Sequence, residues 1–159
     1  AILALKNSTA SKINEQLLQY LSGSHHVYKL VDTIPDAEEV VNYPTKFLNS
    51  LEPPHRLELK LGTPVLLLNN LDPPAFCNGT RLVVNKMMSH VIDATILSGH
   101  GKGEDVFIPS IPLIQWGAGI PFSFRRVKFP IRISFALSIT KSQGQTLSVV
   151  GLHLEESCF

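Results

Sequence analysis

This chain predicts an α/β fold interrupted by a smaller all-β module, and three patterns carry that prediction. A short apolar run, Ile2-Leu3-Ala4-Leu5, passes through polar Lys6-Asn7-Ser8-Thr9 into an amphipathic stretch. That is the strand, turn and helix unit from which α/β domains are built. From Leu57 the pattern changes to short strand-like runs separated by close turn signals, as in a small barrel or sandwich. After Ile131 the α/β character returns, with an alternating run, a polar turn and a last apolar run from Val149 to Leu154.

In the first unit, Ile13, Leu17, Leu18 and Leu21 fall on one helical face. Ser8 or Thr9 stands where an N-cap is wanted, and Gly23 is a natural stop. Residues 24–55 have no strong period; they carry Asp32, Asp36, Glu38 and Glu39 with Pro35, Pro44, Pro53 and Pro54, and read as a connector. His25-His26 falls in a polar turn of it, with no partner at metal-ligand spacing. Leu57, Leu59 and Leu61 then alternate with polar residues, Gly62 interrupts, and Pro64 to Leu68 forms an apolar run ended by Asp72-Pro73-Pro74. Asn78-Gly79 marks a turn, because both residues tolerate positive φ. Arg81 to Val84 and Val91 to Leu97 predict a hairpin around Ser89-His90, and Gly99 to Gly103 a glycine-rich turn before Val106-Phe107-Ile108. Ile131, Ile133 and Phe135 alternate into Ala136-Leu137, and Leu152-His153-Leu154 reads as a buried strand.

The chain has 159 residues, 44% of them hydrophobic and 17% charged, which suits one cored domain or two small ones and excludes a disordered chain. No apolar run is long enough to span a membrane, and Ala1 to Leu5 lacks the basic flank and cleavage site of a signal peptide. Cys77 and Cys158 stand far apart without metal-ligand spacing, which fits a reducing, intracellular compartment. Net charge is only +1, but its distribution is uneven. Arg125, Arg126, Lys128, Arg132 and Lys141 cluster between Phe122 and Gln145 with no acidic residue among them. Charge alone leaves two readings open, phosphate contacts or a solvated face. Trp116, Phe124 and Phe129 lie near this cluster, and again two readings stand: a base-stacking groove or ordinary core.

Three segments resemble the petite-integration-frequency (Pif) family of ATP-dependent DNA helicases, including those carried by rolling-circle transposons. Ala1 to Asn7, followed by Ile13-Asn14-Glu15, is similar to the strand and helix that open the family's second RecA-like motor domain. Tyr43-Pro44-Thr45-Lys46-Phe47-Leu48-Asn49-Ser50-Leu51, Pro54-His55, Leu57 to Leu68, Asn70-Leu71-Asp72 and Cys77 to Leu82 resemble its inserted β module, a Src-homology-3-like barrel called 2B. Phe129-Pro130-Ile131-Arg132, Phe135-Ala136 and Lys141-Ser142-Gln143-Gly144-Gln145-Thr146-Leu147 resemble helicase motif V. Two positions depart from the family: Thr140 stands where His or Asn is usual, and Asn69 where Arg is usual.

The resemblance implies a partial second RecA-like domain at residues 1–42, the β module at 43–125, and a return to the RecA-like domain at 126–159. It implies a nucleotide side formed by Lys6, Asn7, Gly144 and Gln145. It implies DNA contacts from Lys141, Ser142, Gln143 and Thr146, with Arg125, Arg126 and Arg132 on the DNA backbone. Read from composition alone, Lys141 to Thr146 is equally an ordinary capped turn or a phosphate- and sugar-contacting one. The implied partners are single-stranded DNA and an N-terminal RecA-like domain of the same helicase, in an intracellular, nuclear setting that includes DNA repair and recombination. No membrane partner is expected.

ATP and Mg²⁺ are implied for a full-length parent, with none bound by this chain alone. Gly99-His100-Gly101-Lys102-Gly103-Glu104 has the composition of a phosphate-binding loop but not its spacing, and reads as a hairpin turn. The family's arginine-finger segment would follow Phe159, and the chain has no initiating Met, so a piece of a larger helicase without activity of its own is expected, with no catalytic or metal-ligating residue. Two rival readings stand beside it: a non-enzymatic single-strand-binding module, and an inert transposon-derived remnant.

Overall fold

The structure is a computed structural model and describes residues 1–29, 31–33, 56–115, 124–143 and 147–154. Strand β1 (Ile2–Ala4) is the centre of a three-stranded parallel sheet. It pairs with β12 (Ala136–Ser138) in the register Ala4 with Ser138, and with β13 (Gly151–His153) in the register Ala4 with His153. Helix α1 (Asn7–Tyr20) follows β1 and lays Ala10 and Ile13 against Ala4, Ala136 and Ile2. Small residues on both sides let helix and sheet approach closely. Because all three strands run the same way, their C-terminal ends share one edge. Helix α1 leaves that edge after β1, and a short helix α2 (Ile139–Ser142) leaves it after β12.

The rest is antiparallel. Strands β5 (Pro64–Leu67), β6 (Arg81–Met87), β7 (Val91–Ile96) and β8 (Asp105–Pro109) form a meander, and β11 (Ile131–Ile133) adds to it beside β5. Alternation on β6 and β7 drives Leu82, Val84, Ile92, Ala94 and Ile96 into one core, closed by Leu59, Phe76 and Phe129. Strand β2 (His26–Lys29) pairs with β4 (Arg56–Leu59), and β3 (Val31–Thr33) with β10 (Phe124–Lys128), which also pairs with β9 (Ile111–Gln115). The expected hairpin around Ser89-His90 is the β6–β7 connection. The glycine-rich stretch is the β7–β8 turn, with Gly103 at φ 90° and its N–H donating to the Ile96 carbonyl at 2.8 Å. Gly101 lets the turn fold onto the core, because a Cβ there would stand 2.9 Å from Ile96 Cδ1.

Several expectations are corrected. The N-cap of α1 is Lys6, in extended conformation and without a side-chain cap, so Ser8 and Thr9 lie inside the first turn. Residues 26–29 and 31–33 of the expected connector are two strands, and His26 opens β2 with its ring 4.6 Å from that of Tyr28. Strand β4 ends at Leu59, leaving Leu61 exposed beyond it. Leu152, expected in a buried strand, and Leu154 just past β13 are 62% and 69% exposed, because no described element covers them. Between core and stacking groove, Phe129 belongs to the core, at 6% exposed. Trp116 and the Phe124 side chain lie outside what is described. No helix among the described residues is long and apolar enough to cross a membrane.

Candidate nucleic-acid interface

A cleft of about 1000 Å³ opens where the parallel sheet's helices face the β module. One wall is α1, with Asn7, Ser11, Asn14 and Gln19; another is Ser138 and Lys141 from β12 and α2. The module supplies Tyr28, Leu57, Ser89 and His90, and the end of β10, the residue after it and β11 supply Lys128, Phe129 and Arg132. One end of the cleft, at Asn7, Ser138 and Lys141, lies at the C-terminal ends of the parallel strands, where α/β folds gather their ligands, and the rest runs along α1 toward Gln19. The floor is apolar, from Ala10, Leu18, Ile131 and Ile133, and the cations Lys128, Arg132 and Lys141 rim it with Glu15 among them. Arg56 and Glu58, also on the rim, pair with each other at 3.4 Å.

Of the residues expected from sequence, the structure brings Asn7, Arg132 and Lys141 to this cleft. Arg132 is half-buried on β11, opposite Leu66, and desolvation draws its guanidinium below its ordinary value. Lys141 is exposed in the last turn of α2, where the carbonyl ends favour a cation. Ser142 spends its hydroxyl on the Ile139 carbonyl at 2.7 Å, so it caps its own helix. Lys6, Ser142 and Gln143 do not line the cleft, and Lys6 and Gln143 are exposed. For Arg125 and Arg126 the backbone alone is described, in register with Thr33 and Asp32 of β3. Gly144, Gln145 and Thr146 lie outside the described residues.

Sequence reasoning passed over four residues that hold the cleft together or line it. Lys128 sat in the basic cluster but was not singled out. Asn14 lies at mid-helix; its Nδ2 donates to the carbonyls of Ile133 (3.3 Å) and Ala136 (3.0 Å), and its Oδ1 accepts the Ala136 N–H at 2.8 Å. Lys60, only 5% exposed, donates its ammonium to the carbonyls of Gln19 (3.3 Å) and Leu21 (2.7 Å) at the end of α1. Helix α1 has no basic residue in its last turn, so the module supplies the cation that its C-terminus lacks. Tyr28 donates to the Met88 carbonyl at 2.8 Å and meets Phe129 edge-on at 4.6 Å. Such ties join residues far apart in sequence, and no local pattern announces them.

For ATP and Mg²⁺ the described residues offer little. Asn7 and Lys6 stand at the N-terminus of α1, a place that suits phosphate. No group of three or more His, Cys, Asp or Glu among the described residues could hold a metal ion.

The family model for "DNA helicase Pif1, 2B domain" matches residues 46–87. The chain is similar to the ATP-dependent DNA helicase PIF1 of Xenopus laevis, 30% identical over 142 residues, which cover 89% of this chain and 21% of that protein. In fold it is similar to the crystal structure of Pif1 helicase from Candida albicans, with a TM-score of 0.68 at 22% identity over 96% of this chain and 39% of that one. The crystal structure of Bacteroides Pif1 bound to ssDNA matches with a TM-score of 0.65 at 18% identity, over 98% of this chain and 34% of that one. The chain thus spans about a fifth of the length of the Xenopus relative. A parallel sheet with a β module set between its strands, a 2B match inside that module, and relatives that align over most of the chain lead to one conclusion: this chain belongs to the Pif1 helicase family.

Proposed function

We propose that the cleft between α1, α2 and the β module is a face on which a helicase of this family grips single-stranded DNA. The observation that carries the reading is the convergence of Lys128, Arg132 and Lys141 with the polar face of α1 on one open cleft. Cations on a rim neutralise phosphates, and such grip is largely independent of base identity. The relative named as an ATP-dependent DNA helicase, and the related structure bound to ssDNA, support it. In a whole protein of this kind, ATP and Mg²⁺ would supply the energy of translocation, from 5′ to 3′ and in the nucleus, with an N-terminal RecA-like domain as partner; the resemblance alone supports these points. Lys6 and Asn7, together with Gly144 and Gln145, would face the nucleotide, and Ser142, Gln143, Thr146, Arg125 and Arg126 would extend the DNA face.

We also read the β module as a small barrel reaching beyond residues 43–125. Strand pairing supports this, because β2 at His26–Lys29 joins β4 and β11 at Ile131–Ile133 joins β5. The test of function is fluorescence anisotropy of a labelled single-stranded oligonucleotide with the whole 159-residue chain over a salt series. Affinity is expected to fall steeply with salt, and Lys141→Ala and Arg132→Ala are each expected to weaken it about tenfold. No binding at low salt, or indifference to both substitutions, overturns the reading and favours an inert remnant.

A further inference from the structure

We infer that Asn14 is a positioning residue for this cleft: its carboxamide clamps the corner between β11 and β12 and so sets where Lys141 stands relative to Arg132. The inference rests on the cleft being a single-strand-binding face.

The corner is the point at which the chain passes from one sheet to the other. Ile133 is the last residue of β11 and pairs with Val65 of β5. Ser134 donates its N–H to the Pro64 carbonyl at 2.9 Å and gives its own carbonyl to Arg81 Nη2 at 3.3 Å, so it belongs to the module. Phe135 gives its carbonyl to the Ile2 N–H at 3.0 Å, and Ala136 opens β12, so these belong to the parallel sheet. Asn14 spans that seam from α1, taking the carbonyls of Ile133 and Ala136 with its amino group and the Ala136 N–H with its oxygen. A primary carboxamide is suited to this, being neutral and carrying two donors beside an acceptor. Aspartate would set a charge against two carbonyls, and an aliphatic residue would leave all three backbone groups without their partner.

Arg132 lies just before the corner, and Lys141 follows it through β12 and α2. The angle of the corner therefore fixes the spacing of the two cations, and α1, which carries Asn14, also presents Asn7 to the same cleft. Successive phosphates are joined by a sugar of limited reach, so two cations hold neighbouring phosphates together only if their separation lies within that reach.

The test compares single-stranded oligonucleotide binding by the unmodified chain, Asn14→Ala, Asn14→Asp, Lys141→Ala and the Asn14→Ala/Lys141→Ala pair, with thermal melts alongside. If Asn14 positions Lys141, Asn14→Ala weakens binding about tenfold, as Lys141→Ala does, and the pair is little worse than either alone. The slope of log affinity against log salt falls by about 0.7, the loss of one phosphate on a single strand. A merely structural role would lower the folded fraction and leave that slope unchanged. Native-like slope and affinity in a folded Asn14→Ala, or additive losses in the pair, overturn the inference. Should Asn14→Ala melt below the assay temperature, Asn14→Asp is judged by the same slope; if neither folds, the amide is a structural tie and the inference fails. An unmodified chain that does not bind overturns the cleft reading itself, which separates that failure from this one.

Discussion

Lys60 makes the clearest case at the scale of single residues. Its buried ammonium reaches two carbonyls at the end of α1, and replacement by Met keeps the stem while removing the charge. Lys60→Met is expected to lower stability by about 1.5–3 kcal/mol, read from urea melts as an earlier midpoint with an unchanged slope. Tyr28 adds a pH dependence. Burial raises its phenol above the ordinary 10.0, so the folded state favours the neutral form. The stability it contributes is complete below pH 10 and is lost as pH rises through the higher folded value. Melts of the chain against Tyr28→Phe above pH 10 should therefore converge, while at neutral pH the variant loses the Met88 bond, worth about 1 kcal/mol. The sequence marked Lys141 and Arg132 through a motif and a charge cluster. It marked neither Lys60 nor Asn14, whose partners are carbonyls that any residue carries.

The β6–β7 hairpin shows how much of an element is legible. The runs Arg81 to Val84 and Val91 to Leu97 predicted the hairpin, and its strands bury Leu82, Val84, Ile92 and Ile96. Truncating Leu82→Ala is expected to cost about 2–5 kcal/mol, measured by chemical denaturation, because the rigid meander around it cannot close over the space. Strands β2 and β3 were missed for a physical reason: they are short, and what makes them strands is β4 and β10, which lie far along the chain. The error at β13 has another origin. An apolar run records which residues prefer burial but not whether another element covers them; among the described residues β13 is an outer strand, and Leu152 in it and Val149, Val150 and Leu154 beside it are exposed. Extended apolar edges promote pairing between molecules. The chain is accordingly expected to self-associate as its concentration rises, and Leu152→Lys to shift its sedimentation toward the monomer.

For the whole molecule, the mixture of helix and strand was legible because a strand-and-helix unit gives way to closely spaced strand runs, and a strand, polar turn and strand follow after Ile131. The meeting of Asn7, Arg132 and Lys141 was not, since it depends on how the module seats against α1. That seating also bears on the order of events during synthesis. Strand β1 is made well before its neighbours, which begin only at Ala136 and Gly151. Bringing such distant segments together is slow when the intervening chain is loose, though each doubling of its length adds only about 0.6 kcal/mol. Once the meander has formed, β2 is held to β4 and β11 to β5, and the intervening chain acts as a folded body. The all-β insertion would then work as a staple that must close first, and β1 with its helix would wait, without either strand partner, until β12 has been made.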